Sequence, residues 1–187
     1  MRLYYHLSLP YLTNTYLVGP QGGGDAIIID PGAMDVQLLE LVEKHHYYIR
    51  SILVTNPDTA HTGGIKTILK IYEAGIYSGQ QQGDFPNKCV YGGGTFSLHG
   101  FQIQVFSAQG FSREAVMYKI ENCLFSGEAI TAGMVGDVTN VFSKALLISR
   151  LKETFSRLSP DTLIFPASGP PTTLELETNF NPDLSSR

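Results

Sequence analysis

Cysteine is scarce in this chain: Cys89 and Cys123 are the two that its 187 residues carry. Two thiols so far apart cannot build a disulfide framework or a Cys-rich zinc site. They read as small apolar residues of a core, and the expected compartment is soluble, reducing and cytoplasmic. Charge is also thin, at 16% of residues with a formal net charge of −4 and no Lys/Arg cluster. The electrostatic footprint of a nucleic-acid binder or an acidic-membrane binder is therefore missing. No run has the apolar length of a membrane span, and Met1-Arg2-Leu3-Tyr4-Tyr5-His6 lacks the basic-then-apolar order of a signal peptide. Fixed-period repeats, low-complexity tracts and linkers are absent as well. What is present is 43% hydrophobic residues, enough for one domain over residues 1–187 with a real core.

Local patterns divide the chain into strands and helices. Tyr16-Leu17-Val18 and Ala26-Ile27-Ile28-Ile29 read as two strands joined by a glycine-rich turn, and Asp30-Pro31-Gly32 stops the second. Val36, Leu38, Leu39, Leu41 and Val42 recur at helical spacing. Ser51 to Thr55 reads as a strand, and Gly64 to Tyr72 as a helix. The chain then turns β-rich. Lys88 to Tyr91 is expected to pair with the next strand along the chain, and Gly92-Gly93-Gly94 breaks the run. Thr95 to Leu98 and Phe101 to Phe106 form a hairpin around His99-Gly100, and Ala115 to Ile120 pairs with Cys123 to Ser126. A helix spans Lys144 to Leu158 with Ser143 as N-cap, and Asp161 to Phe165 is a last strand. Strands, helices, strands, helix, in two rough halves, predict two sheets sandwiched between helices.

Of the five histidines, four have bland assignments. His6 near the N-terminus and His99 in a hairpin turn are expected to be solvent-exposed. His45-His46 ends a helix, where a cation suits the macrodipole. The fifth, His61, lies in the most informative segment, Ile52-Leu53-Val54-Thr55-Asn56-Pro57-Asp58-Thr59-Ala60-His61-Thr62-Gly63-Gly64-Ile65. There an apolar run ends at Thr55, a polar turn comes next, and a glycine pair opens an apolar helix.

That frame resembles the strand–loop–helix of the metallo-β-lactamase superfamily, whose loop reads H-x-H-x-D-H. Further segments resemble glyoxalase II-like members in the same order: Asn14 to Val18, Ile27 to Gly32, Ser107-Ala108-Gln109-Gly110-Phe111-Ser112, and Leu124-Phe125-Ser126-Gly127-Glu128. The last is Phe165-Pro166-Ala167-Ser168-Gly169-Pro170, followed by Thr172-Thr173, Glu177 and Asn181-Pro182. The match runs from about residue 10 to about residue 182. It implies a four-layer α/β/β/α sandwich. Glyoxalase II enzymes carry a glutathione-binding helical domain after this region, and its absence is expected to disfavour that substrate.

The resemblance also implies a chemistry. In active relatives two metals at the loop ends hold a bridging water, and a zinc-bound water has a pKa near 7. The positions that carry the ligands are Asn56, Asp58, Ala60, His61, Phe111, Glu128 and Ser168 here. Ala60 and Phe111 have no donor atom. Asn56 and Ser168 offer neutral oxygens, poor zinc ligands beside imidazole or thiolate. A binuclear zinc centre is therefore not expected, and no catalytic residue is assigned. Asp58, His61 and Glu128 have the composition of a facial triad for one divalent ion, although Glu128 is a methylene longer than the usual aspartate. The alternative is that His61 and Asp58 hydrogen-bond each other or nearby backbone. A seryl hydrolase built on Ser168, His61 and Asp58 lacks both a G-x-S-x-G elbow and a visible oxyanion hole. Phe111, with Phe106 and Phe142 as neighbours, makes either an apolar ligand pocket or a packed plug.

Three functions are expected to compete. One is a noncatalytic protein whose former active-site cleft binds a small-molecule ligand or protein partner. Another is a hydrolase of thioester, lactone or phosphoester type using one ion at Asp58, His61 and Glu128. The third is a structural or assembly role, with exposed Tyr47, Tyr48, Tyr72 and Tyr77 buried in a homo-oligomer.

Overall fold

A computed structural model describes residues 1–81, 85–91, 93–138 and 140–185. The chain opens with β1 (Arg2–Ser8), β2 (Thr13–Gly19) and β3 (Gly24–Ile29), then α1 (Val36–Lys44), β4 (Tyr47–Val54), α2 (Thr59–Thr62), α3 (Ile65–Ile71), β5 (Gly75–Ser78) and β6 (Asn87–Cys89). These strands form one sheet in simple sequence order, antiparallel from β1 to β3 and parallel from β3 to β6.

The second half supplies β7 (Gly94–Leu98), β8 (Phe101–Ser107), β9 (Val116–Ile120), β10 (Cys123–Gly127), the small hairpin β11 (Ile130–Thr131) and β12 (Met134–Val135), α4 (Val141–Phe155), β13 (Leu163–Pro166), β14 (Thr172–Thr173) and α5 (Leu174–Phe180). Its main sheet runs β14-β13-β10-β9-β8-β7.

The period-2 alternation of the strands decides which side chain enters which layer. On β2 and β3, Tyr16, Val18, Ile27 and Ile29 face the second sheet, where they meet Ile103, Val105, Tyr118, Ile120 and Phe125. Leu17, Ala26 and Ile28 point the other way, onto Leu38 and Val42 of α1 and Ile65 and Ile68 of α3. Met117, Leu124 and Ile164 of the second sheet are covered by Leu147, Leu151 and Phe155 of α4 and Leu174 of α5. Three cores separate four layers, the α/β/β/α sandwich. Each fully buried Leu, Ile or Phe contributes about 1.5–3 kcal/mol against leaving it in water.

Several sequence expectations are corrected. β1 forms the edge of the first sheet, pairing with β2 from Arg2↔Gly19 to Ser8↔Thr13, and it carries His6 inside. His6 is buried and its Nε2 lies 3.0 Å from Asp35 Oδ2. His99 is exposed in the β7–β8 turn as expected, and its Nε2 also sits 2.9 Å from Ser51 Oγ across the two sheets. β6 pairs in parallel with β5, not with the strands after it. Gly92 lies outside the described residues, and Gly94 opens β7. The cap of α4 is Asn140, whose side chain accepts from Ser143 N. Tyr47 and Tyr72 are buried, while Tyr48 is exposed. Phe142 is 88% exposed and takes no part in a pocket with Phe111. Of the cysteines, Cys123 is buried and Cys89 is exposed. Among the described residues, no helix is long and apolar enough to cross a membrane.

Candidate functional site

The loops that resemble metal-binding segments leave the ends of β4, β8, β10 and β13. Their foundation is Asp30, directly after β3. Because β3 and β4 run parallel, Asp30 comes beside Thr55: its Oδ1 accepts from Thr55 N at 2.8 Å and its Oδ2 from Thr55 Oγ1 at 2.6 Å. Its backbone is held too, donating to Leu53 O and accepting from Thr15 Oγ1. These bonds keep Asp30 at a φ of 50°, a left-handed conformation that aspartate tolerates better than most residues. The sequence reads Asp30-Pro31-Gly32 as a strand stop within a family-like segment and assigns Asp30 no place in the site. The available signal was a carboxylate placed at the end of a buried strand, where it must find partners.

His61 sits above this anion. It is 1% exposed, with Nδ1 3.2 Å from Asp30 Oδ2 and Nε2 3.8 Å from Glu128 Oε1. The Nδ1 contact is close enough for an ion pair but off the line of the N–H, so Nδ1 has no hydrogen-bond partner. Burial pulls the imidazole pKa down and is the largest single influence. Asp30, Glu128 and Asp58 together outweigh it, and the net direction is up. The expected pairing of His61 with Asp58 is replaced by pairing with Asp30 and Glu128. Asp58 stands exposed at the start of α2, its Oδ2 accepting from Asn56 Nδ2 at 3.2 Å.

Glu128 reaches His61 because β10 ends at Gly127. That glycine has a φ of 56°, and a Cβ there would collide with the Thr55 side chain. Glu128 is half-buried, and burial, first of all, raises its carboxyl pKa. His61 opposes the rise, while Asp30 and Asp58 add to it. Both Glu128 and His61 thus hold a proton more firmly than they would in water.

The remaining positions fall around this pair. Asn56 is buried. Ala60 uses its carbonyl to accept from Thr13 Oγ1 at 2.9 Å, tying α2 to β2. Phe111, partly buried, packs with Phe106 and Val138 against the core that α4 covers, and lies next to Gly136, where a Cβ would come 3.0 Å from Phe111 Cδ2. Ser168 is half-buried on the loop after β13. Asn14 anchors that loop, with Nδ2 donating to Pro166 O at 2.8 Å and Gly169 O at 2.9 Å. Among the described residues, no hydrogen bond joins Ser168 to His61, and no three His, Cys, Asp or Glu side chains gather as a metal-holding cluster.

Beside this loop a groove of 730 Å³ opens between the edge of the first sheet and the end of β13. Leu3, Tyr5, Leu7, Leu12, Phe165 and Pro170 are among its walls.

Known proteins share this architecture. A hydroxyacylglutathione hydrolase of Actinobacillus pleuropneumoniae serotype 5b (strain L20) is 29% identical over 132 residues, covering 70% of this chain and 56% of the enzyme. The chain thus spans little more than half the length of the curated hydrolase it matches. The crystal structure of ETHE1 from Myxococcus xanthus superposes with a TM-score of 0.85 at 20% identity, covering 98% of this chain and 84% of that one. The structure of TTHA1623 in a di-iron-bound form gives a TM-score of 0.79 at 26% identity, covering 96% and 98%. The model of the metallo-beta-lactamase superfamily matches residues 9–141. With that match added to a four-layer sandwich whose loops converge on His61, the chain belongs to the metallo-beta-lactamase superfamily.

Proposed function

We propose that this protein has lost the binuclear zinc centre and uses its former active-site cleft, noncatalytically, to bind a ligand or partner. The donor set does not fit two zinc ions. Ala60 and Phe111 supply no lone pair, and the neutral oxygens of Asn56 and Ser168 are weak zinc donors. Phe111 is also partly buried, packed against the core that α4 covers.

The observation that carries binding is the 730 Å³ groove that borders the Ser168 loop. Its volume lies in the range of small-molecule pockets, about 300–1,000 Å³. Tyr5 and Leu12 on its rim are 56% and 67% exposed, apolar surface that a bound molecule would cover. The positions Asn56, Asp58, Ala60, His61, Phe111, Glu128 and Ser168 are not among its lining residues, so the groove adjoins the former cleft through Gly169 and Pro170. The test is a thermal-shift screen with thioesters, lactones, phosphodiesters and nucleotides. Stabilisation by one class without its consumption supports the proposal, and turnover of that class overturns the noncatalytic reading.

A second reading is favoured by one contact, the 3.8 Å approach of His61 Nε2 to Glu128 Oε1. It puts an imidazole and a carboxylate side by side; Asp58 does not gather with them in this structure, so one divalent ion held by all three would require Asp58 to move toward the pair. That ion would supply a Lewis acid and an activated water. The hydrolase name of the relatives and the di-iron form of TTHA1623 accord with such chemistry. Metal content of the purified protein, together with hydrolysis lost in His61→Ala, would establish this reading. Metal-free protein that added divalent ions do not stabilise excludes it.

A further inference from the structure

Away from this cleft, on the outer face of the second sheet, a cavity of 370 Å³ lies between β7–β8 and the C-terminal half of α4. Arg150, Glu153 and Thr154 line it from the helix, Arg157 from the turn that follows, and Thr95, Gln104, Phe106 and Ser107 from the strands. The two guanidiniums border one cavity, seven residues apart in the sequence, in a chain whose net charge is −4.

Arg150 is incompletely satisfied. Its Nη1 donates to Glu153 at 3.0 Å and its Nη2 to Gln109 at 3.5 Å, but its Nε is buried with no hydrogen-bond partner. Native proteins leave such buried donors unpaired only for a reason, an absent ion or water among them. Arg157 is 63% exposed, donating to Glu153 at 2.6 Å. Glu153 is therefore shared by both arginines and neutralises one of their two charges. The cavity keeps an excess positive charge and unused N–H donors.

We propose that this cavity binds the phosphate group of a small molecule between Arg150 and Arg157. Donor count favours phosphate over carboxylate. Two guanidinium forks with the hydroxyls of Thr95, Ser107 and Thr154 offer more donors than two carboxylate oxygens can use, and they suit the three terminal oxygens of a phosphate. The volume exceeds what the anion alone needs, and Phe106 gives an apolar wall for an attached organic group. Glu153 acts as an internal competitor: it holds the guanidiniums in place in the free protein and gives up part of that contact to the ligand.

Calorimetric titration of the full chain at low salt tests this, with inorganic phosphate and glycerol 3-phosphate as probes and succinate as the carboxylate control. Saturable binding of a phosphate is expected, with succinate at least tenfold weaker. Tighter binding of the ester assigns the site to a phosphomonoester, and equal affinity assigns it to the free ion. Arg157→Gln and Arg150→Gln should each weaken binding tenfold or more. Glu153→Gln should strengthen it several-fold, an effect that a merely structural salt bridge would not produce. If Arg150→Gln unfolds the protein, the exposed Arg157→Gln and Glu153→Gln still decide. Absence of saturable phosphate binding, or binding indifferent to Arg157→Gln, overturns the proposal.

Discussion

At the scale of single residues, the site rests on a buried carboxylate that the family motif does not include. Asp30 fixes Thr55 through two hydrogen bonds and gives His61 its counter-charge. Removing one partner of a buried pair leaves the other unpaired in a low dielectric, so His61→Ala should destabilise by about 3 kcal/mol, read as a lowered urea midpoint. An unchanged midpoint would mean that Thr55 alone satisfies Asp30. Gly127→Ala combines a positive φ with a collision against Thr55. It should cost at least about 1–3 kcal/mol and disturb Glu128 as well. The thiols differ in the same local way. Burial, and then Glu121, raises the Cys123 thiol pKa, whereas Cys89 is exposed. Alkylation of the folded protein should modify Cys89 and spare Cys123, as peptide mass mapping would show. These residue-level facts were only partly legible. That Ala60 and Phe111 carry no side-chain donor can be read off letters, because a methyl group or a phenyl ring is chemically unambiguous. The role of Asp30 could not, because it depends on β3 and β4 lying side by side.

At the scale of elements, periodicity served well where a whole face is apolar. Leu38 and Val42 of α1, or Phe101, Ile103 and Val105 of β8, announce their elements by burying one face each. β1 escaped because Arg2–Ser8 mixes tyrosines and a histidine with leucines, and only pairing with β2 makes it a strand. α5 escaped because a short helix begun by Thr173 and bearing Glu175 and Glu177 shows little apolar stripe. Its buried Glu177 is satisfied by Thr172 and Asn181. The cap of α4 lies three residues before the Ser143 that the sequence pattern points to. Asn140 accepts from Ser143 N, so Asn140→Ala should cost about 1 kcal/mol, while Ser143→Ala should fall within about 0.5 kcal/mol. Chemical denaturation of both variants checks the order, and the reverse order would restore Ser143 as the cap.

At the scale of the whole molecule, the sheets are locked together by buried hydroxyls as well as apolar side chains. Tyr118 OH donates across the sandwich to Val54 O and Tyr77 O, and Tyr16 OH to Pro166 O. Burial, the largest cause, raises both phenols above their usual 10.0. The folded state then holds these protons more tightly than the unfolded chain. Their stabilising contribution is complete below about pH 10 and is lost as pH rises through the folded values. Urea midpoints should accordingly decline above about pH 10, and Tyr118→Phe should flatten that decline while costing about 1 kcal/mol at neutral pH. The layer order and the lack of donor atoms at Ala60 and Phe111 were already written in the order of the residues, because apolar periodicity and side-chain chemistry are local properties. Packing had to decide that His61 faces Asp30 and Glu128, that Phe111 packs against the core that α4 covers, and that Arg150 and Arg157 share a cavity. Those outcomes depend on how β3 meets β4 and how α4 crosses β8, contacts between residues far apart in the chain.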